Sequence, residues 1–532
     1  MESRSKSPVP TPSGESRRRL LVIPAVALVL FVALANCGQA FVFPLELELR
    51  EGTSWLYVLA ARAGVPLYDH QQVVFLNMNH GPLDPLLKHL LAMIFPLLSP
   101  AMVTRFFVLL LPFGLWLALT RAGRPGKAAA LLWGFGLYLF LLGLQPPNFL
   151  VGRSDPTALF LLALLLWLAA SPLHRPEATA RRRFLGAVLT GLAGAAVLLT
   201  NWRFAPAVAV VLAAFALERG IAAAPARRWR SLGLHVGGLA LAGGGLFLVI
   251  LLTVFHGDGT LYYRHFFGFF SADSGWGALR TGDFQLLPLA LVAAHWQMHL
   301  LALVAVLVGL GYPSPHVPRK IQLLGWLPLL GLLWLSSCAA YFLNRSGGGL
   351  WYFGSFYVLL AFHLARSVGW DRIDFPWLRE LVCAGLFCAL PWRTTMQQAA
   401  QLTDSFAPAY AFLHATRELA AGAPIHSEDY YFFQDHYAGE VVDMGDVVFK
   451  VSATGYYGPV LTATANRYFA QLRANPPRFV ISGGSISPVL AELLTRSYRP
   501  VLRVPPEPAH YSGPAQTFYQ LKPAVSAAAL AP

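Results

Sequence analysis

The chain has 532 residues, 56% of them hydrophobic and only 12% charged, with a mean hydropathy of +0.52. A water-soluble protein of this length cannot hide so much apolar surface, whereas a lipid bilayer accommodates it, so composition excludes a soluble enzyme and indicates a polytopic membrane protein. The formal net charge of +14 would also suit a nucleic-acid binder, but Lys and Arg stand in short clusters between apolar segments, as in cytoplasmic loops, and no nucleic-acid partner is expected.

Residues 1–19 form a Ser-, Pro- and Arg-rich tail. The apolar run that follows, from about Leu20 to Phe43, has spanning length and lacks the small-residue cleavage motif of a removed signal peptide. Arg17, Arg18 and Arg19 put its start on the cytoplasmic side. Further predicted spans begin near Ala101, Ala128, Pro156, Phe184, Phe204, Ser231, Gln285, Ile321, Trp351 and Phe375. With the first they make about eleven transmembrane helices over residues 20–393. The inner loops then hold Arg121/Arg124/Lys127, Arg175/Arg181/Arg182/Arg183, Arg219/Arg227/Arg228/Arg230, Arg319/Lys320 and Arg366/Arg372. That alternation obeys the positive-inside rule and leaves the loops 44–100, 145–155, 256–284 and 344–350 outside, with the C-terminal tail. Cys37, Cys338, Cys383 and Cys388 all lie in apolar segments, so they say nothing about redox compartment.

From about Thr394 the hydropathy drops, and residues 394–532 read as a small α/β extracytoplasmic domain. "APIHSEDYYFF" and "PPRFVIS" have strand character, and "VLTATANRYFAQLRANPP" reads as an amphipathic helix closed by prolines. "GGSISPVLAELL" is a turn into a helix with Ser487 as N-cap and Pro488 at the first helical position. The Gly483-Gly484-Ser485 turn has the pattern of a phosphate cradle, and equally that of a plain strand-to-helix connection.

No Asp, Glu or Lys falls near the middle of a predicted span. His235, and His295 with His299 in "HWQMH", are the polar exceptions; the pair shares one helix face but lacks a third ligand, so interhelical hydrogen bonding is the expectation rather than zinc. Charge gathers instead in the outer loops. "LELELREG" crowds Glu46, Glu48 and Glu51 directly after the first span, and the same loop supplies Asp69, His80 and Asp84. "LVGRSDPTALF" supplies Arg153 and Asp155, "FHGDGTLYYRHFFGFFSAD" supplies Asp258, Arg264 and His265, and "NRSGGGLWYFGSFY" supplies Arg345. Any one of these loops is accounted for by interfacial anchoring alone.

In their order along the chain these motifs resemble the GT-C superfamily of membrane glycosyltransferases, which contains the protein O-mannosyltransferases and the lipid A aminoarabinose transferases. The resemblance rests on the acid–Gly pair Glu51-Gly52, then "GVPLYDH" and "HGPLDPLLKHLL", the Arg-x-Asp of "GRSDPTALF", the loop "YYRHFFGFF", and the Gly-rich turn into "WYFGSFYVLLA". It implies an inverting transfer of a sugar from a polyprenyl-phosphate donor to a glycan, lipid or protein acceptor on the outer face of a bacterial inner membrane. It further implies that Glu51, with Glu48 one turn earlier, supplies the general base, and that Arg153, Asp155, Arg203, Arg264, His265, Arg345, Asp69 and His80 bind substrate. The chain departs from the family in having Arg50-Glu51 where many members have an acidic pair, and "TNWRF" where some have "TK", so that Arg203 stands for the cation. No cofactor is certain, and a divalent metal stays open because the family includes metal-dependent and metal-free members.

The chemistry agrees with this expectation. A hydroxyl acceptor needs a carboxylate within hydrogen-bond reach to take its proton, and a departing polyprenyl phosphate needs cations, for which the Arg fork is suited. Two other classes stand beside it: a flippase or polymerase of lipid-linked saccharides, which should line a path through its spans with charge, and a membrane-anchored envelope assembly scaffold working through its C-terminal domain.

Overall fold

Apolar segments in lipid can satisfy their backbone only as helices, and each predicted span that falls on described residues is helical. The computed structural model describes residues 14–45, 49–65, 81–122, 127–144, 152–175, 178–222, 225–260, 299–300, 302–304, 306–314, 317, 319–343, 350–368, 407–429, 432–433, 458–483, 486–503 and 516–523. In chain order the helices are α1 (Gly14–Val42), α2 (Leu49–Arg62), α3 (Leu83–Ile94), α4 (Pro100–Thr104), α5 (Phe106–Ala122), α6 (Lys127–Leu144), α7 (Ser154–Ala169), α8 (Ala180–Thr200), α9 (Ala205–Ala222) and α10 (Pro225–Val254). After a π-helical turn, Gln322–Trp326, come α11 (Leu327–Leu343) and α12 (Gly354–Ser367). Among the described residues, Pro100–Ala122, Ala180–Thr200, Leu232–Val254 and Arg319–Ala340 are long and apolar enough to cross a membrane, and Ala27–Val42, Trp133–Leu144 and Ser154–Ala169 are shorter apolar helices. The spans expected near Gln285 and Phe375 begin outside the described residues.

The bundle core is apolar. Leu111, Leu115, Trp133, Tyr138, Leu159, Leu162 and Leu359 are all buried in one cluster. Small residues let α8 and α10 meet closely: a Cβ on Gly191 would come 2.7 Å from the Leu239 carbonyl oxygen, and one on Gly238 2.7 Å from the Ala187 methyl. The outward side of α10 exposes Leu241, Leu248, Val249 and Leu252, a face that suits lipid. The segment 44–100, expected as an outer loop, instead carries α2 and α3, and every residue from Glu51 to Ala60 is buried. Glu51, Asp84 and Lys88 concealed this in the sequence, because they are paired inside rather than solvated.

At one end of the bundle Glu218 of α9 accepts a bond from Trp326 Nε1 at 2.5 Å and pairs with Arg366 of α12 at 2.7 Å. Arg219 donates to the Ala169 carbonyl at 3.0 Å and meets His235, so that histidine makes the interhelical contact expected of it. His299 accepts from Trp334 Nε1 at 3.2 Å, while His295 lies outside the described residues. Among the described residues no group of three or more His, Cys, Asp or Glu side chains could hold a metal ion.

Beyond the bundle come α13 (Ala407–Ala420), β1 (Ile425–His426), α14 (Gly458–Ala474), β2 (Phe479–Ser482), α15 (Pro488–Ser497), β3 (Tyr498–Arg503) and β4 (Thr517–Leu521). The sheet order is β1-β2-β4-β3, with β1 parallel to β2 and the other pairs antiparallel. Ser487 Oγ accepts the Leu490 N–H at 3.1 Å, capping α15 as its sequence indicates. Tyr468, Val480, Leu490, Leu493 and Tyr498 form the core of this unit. It meets the bundle where α1 ends: the Tyr410 hydroxyl donates to the Val42 carbonyl at 2.7 Å, and Phe432 shares a buried cluster with Trp55, Leu59 and Val103.

Candidate active site

Two buried ion pairs converge on one glycine. Glu51 stands in the first turn of α2, where a carboxylate suits the helix dipole. Its side chain and that of Arg105 are both 0% exposed. Glu51 Oε1 accepts Arg105 Nε at 2.5 Å and the Gly152 N–H at 2.7 Å, while Oε2 accepts Arg105 Nη2 at 2.6 Å, a bidentate fork. Arg105, at the α4–α5 junction, also donates to the carbonyls of Ala40 at 2.7 Å, Phe43 at 2.6 Å and Leu45 at 2.6 Å. Every N–H of the guanidinium therefore has an acceptor, the condition under which such a charge is tolerated in an apolar interior. The rings of Phe43 and Phe432 lie 5.9 and 5.6 Å from its Cζ.

The second pair lies along α3. Lys88 Nζ is 2.7 Å from Asp84 Oδ2 and donates to the Gly152 carbonyl at 2.6 Å, and Asp84 Oδ1 accepts from Thr157 Oγ1 at 2.6 Å. Gly152 thus turns its N–H to Glu51 and its C=O to Lys88. Only glycine fits, because a Cβ there would lie 2.6 Å from Thr104 Cβ and 2.7 Å from its carbonyl. A like constraint holds Gly81, whose N–H donates to the Thr200 carbonyl at 2.8 Å and whose Cβ would overlap the Leu199 carbonyl.

From Gly152 the chain enters α7. Arg153 is the N-cap residue in extended conformation, and Asp155 sits in the first turn. Asp155 Oδ1 accepts from Asn201 Nδ2 at 3.1 Å, and its Oδ2 lies 3.7 Å from Arg153 Nε, longer than a hydrogen bond. Asn201 closes α8 and its Oδ1 accepts the Arg203 N–H at 3.2 Å, fixing the turn Trp202–Phe204. The Arg203 guanidinium lies 5.8 Å from the centre of the Tyr352 ring, so "TNWRF" and "GLWYF" come together.

Of the residues expected at the site, Glu51, Arg153, Asp155 and Arg203 are described and gather at this end of the bundle. Glu48, Asp69, His80, Arg264, His265 and Arg345 lie outside the described residues. Glu51 is buried rather than open at the membrane surface, and it pairs with Arg105. Arg105, Lys88 and Asn201 escaped the sequence reading. Arg105 stands alone inside an apolar run, "MVTRFF", and a lone charge within a span is itself a sign of internal pairing.

No protein-family model matches the chain, and no curated protein sequence does. Among solved structures, the chain is similar to the crystal structure of ArnT from Cupriavidus metallidurans bound to undecaprenyl phosphate, at 14% identity and a TM-score of 0.55, over 97% of this chain and 99% of that one. ArnT, the lipid A aminoarabinose transferase, is a GT-C superfamily member. The chain has the fold of this ArnT structure. A looser likeness joins it to the Archaeoglobus fulgidus oligosaccharyltransferase AglB in complex with an inhibitory peptide and a dolichol-phosphate, at 13% identity and a TM-score of 0.42, over 86% of this chain and 69% of that one. An Archaeoglobus fulgidus oligosaccharyltransferase in complex with Zn and sulfate aligns at 14% identity and a TM-score of 0.40, over 75% of this chain and 55% of that one. The fold assignment rests on ArnT.

Proposed function

We propose that this protein is a membrane glycosyltransferase that moves a sugar from a polyprenyl-phosphate carrier to a hydroxyl-bearing acceptor, with inversion, at the end of the bundle where α7 begins. The observation that carries the reading is the convergence of Glu51–Arg105 and Asp84–Lys88 on Gly152, directly before Arg153 and Asp155, in a chain with the fold of the GT-C member ArnT. Acceptor and donor phosphate have opposite needs, a proton acceptor and a cation, and Asp155 and Arg153 place those two groups side by side at a helix start.

Glu51 is the base expected from the sequence. Its oxygens are engaged by Arg105 and Gly152, which supports for it the work of holding the Gly152 turn. Asp155, with Oδ2 facing Arg153 beyond hydrogen-bond length, is the better-supported proton acceptor. Arg153 and Arg203 are the described cations proposed to meet phosphate. If either holds it bidentately, Lys should only partly replace it, because the charge survives while the fork is lost.

The deciding experiment presents the purified protein in lipid with several polyprenyl-phosphate sugars and measures protein-dependent release of polyprenyl phosphate. Release from at least one donor is expected, and silence with every donor in the presence of cell-envelope acceptors sinks the reading.

A further inference from the structure

Among the described residues, the unit that holds the sheet places the Phe432 ring beside the Glu51–Arg105 pair. After β1 and Ser427 come Glu428 and Asp429, both buried and both pinned to the β2–α15 connection. Glu428 accepts from the Ser487 N–H at 2.6 Å, Ser487 Oγ at 2.9 Å and the Tyr468 hydroxyl at 2.7 Å. Asp429 accepts the Gly483 N–H at 2.8 Å. The protein's own carboxylates therefore take the N–H groups of Gly483 and Ser487, while Gly484 and Ser485 of that turn lie outside the described residues. The pins also fix where the chain goes next. Phe432 follows Asp429 by three positions and lies 3% exposed among Trp55, Val58 and Leu59 of α2, with its ring 5.6 Å from Arg105 Cζ. Phe43, at 5.9 Å, is the bundle's own ring against the same guanidinium.

We propose that Phe432 is a positioning residue of the transfer site, inserted by the C-terminal unit over Arg105 to exclude water from it and keep its fork on Glu51. The inference rests on the transferase reading above. With the guanidinium fixed, Glu51 stays on the Gly152 N–H, and the Gly152 turn sets where Arg153 and Asp155 stand. Loss of the ring admits water to the pair and loosens the turn, and small misplacements of groups at a reacting centre are expensive in rate.

The test uses the full chain in lipid with Phe432→Ala, Phe432→Tyr, which keeps a ring, and Phe412→Ala as a matched control. Phe412 packs edge-on against Phe433, 6.1 Å between centroids, inside the same unit. The first readout is modification of Arg105 by phenylglyoxal, located by mass spectrometry, which needs no activity. The second is the split between kcat and KM for polyprenyl phosphate release. In Phe432→Ala, Arg105 is expected to become reactive and kcat to fall about tenfold to a hundredfold, the scale of a misplaced reacting group, with KM for the donor nearly constant. Phe432→Tyr restores both, and Phe412→Ala, although it loosens the unit, changes neither. Should Phe432→Ala fail to fold, Phe432→Leu fills the space without a ring face and is read in the same two ways. Arg105 as protected in the Ala or Leu variant as in the wild type, or an unchanged kcat, overturns the proposal. A wild type that releases no polyprenyl phosphate while Arg105 becomes reactive in Phe432→Ala overturns the transferase reading and leaves the ring's hold on Arg105 standing.

Discussion

At the scale of single residues, burial separates two carboxylates that look alike in sequence. Removing one member of a buried ion pair strands the other, at a cost of about 3–5 kcal/mol. Glu51→Gln is therefore expected to lower the melting temperature in detergent sharply. Asp155→Asn, which keeps the contact with Asn201, should leave the fold intact and cut turnover by ~10²–10⁴, the range for losing a general base. A well-folded Glu51→Gln protein without turnover, beside an active Asp155→Asn, would return the base role to Glu51. Gly152→Ala forces a methyl against Thr104 and is expected to destabilise by at least the ~1–3 kcal/mol of ordinary overpacking, as read from the same melts. Glu51, Arg153 and Asp155 drew attention in sequence because acids are scarce in this chain, 26 among 532 residues, and these groups fall where apolar runs begin or end. Arg105 was not, because its partners are three carbonyls from the end of α1 and a carboxylate 54 positions away, none of which leaves a local pattern.

At the scale of elements, the spans were legible because an apolar run has one solution in lipid, whereas α2 and α3 were hidden by charges that the fold pairs internally. Among the described residues of "APIHSEDYYFF" only Ile425 and His426 are strand, since Glu428 and Asp429 turn aside to their pins, and β3 and β4 gave no clear period. This sheet unit carries a pH dependence. Burial pushes His426 down from 6.5 to about 4, and its ring meets the Tyr468 hydroxyl at 2.9 Å. The folded state thus prefers neutral imidazole, and the stability this contributes is present above pH 6.5 and is lost as pH falls toward about 4. Burial also raises Glu428 despite the three bonds it accepts, so its contribution has the opposite sign and fades as pH rises through the carboxylate range. The two are separated by the difference in melting temperature between wild type and His426→Gln, which is expected to shrink steadily on acidification from pH 6.5 to 4. A constant difference would show that His426 does not titrate on unfolding.

At the scale of the whole molecule, the described buried charges divide between two ends of an apolar bundle. Glu51, Arg105, Asp84, Lys88, Arg153 and Asp155 gather at one end, and Glu218, with the half-buried Arg219 and Arg366, at the other. A flippase that moved a polar headgroup would need charge along the way between them, and the core of the described bundle includes Leu115, Leu162 and Trp133. The Arg clusters predict which end faces the cytoplasm. A reporter fused after Arg183 should read cytoplasmic and one after Gly422 external, and a cytoplasmic signal at Gly422 would place the Gly152 turn on the wrong side for an external acceptor.

The Gly152 turn also makes the site a keyed lock, because a peptide group has a direction. Its N–H meets the acid and its C=O meets the amine, so the sign of each charge is set by the way the chain runs through this position. A charge-swapped variant, Glu51→Arg with Arg105→Glu, preserves the count of opposite charges yet points a guanidinium at an N–H and leaves the carbonyls of Ala40, Phe43 and Leu45 without donors. Such a swap often rescues a pair on a protein surface. Here it is expected to melt no higher than the worse of its two single variants, and the polarity of one loop, rather than electrostatic pairing alone, is what confines these residues to their present order.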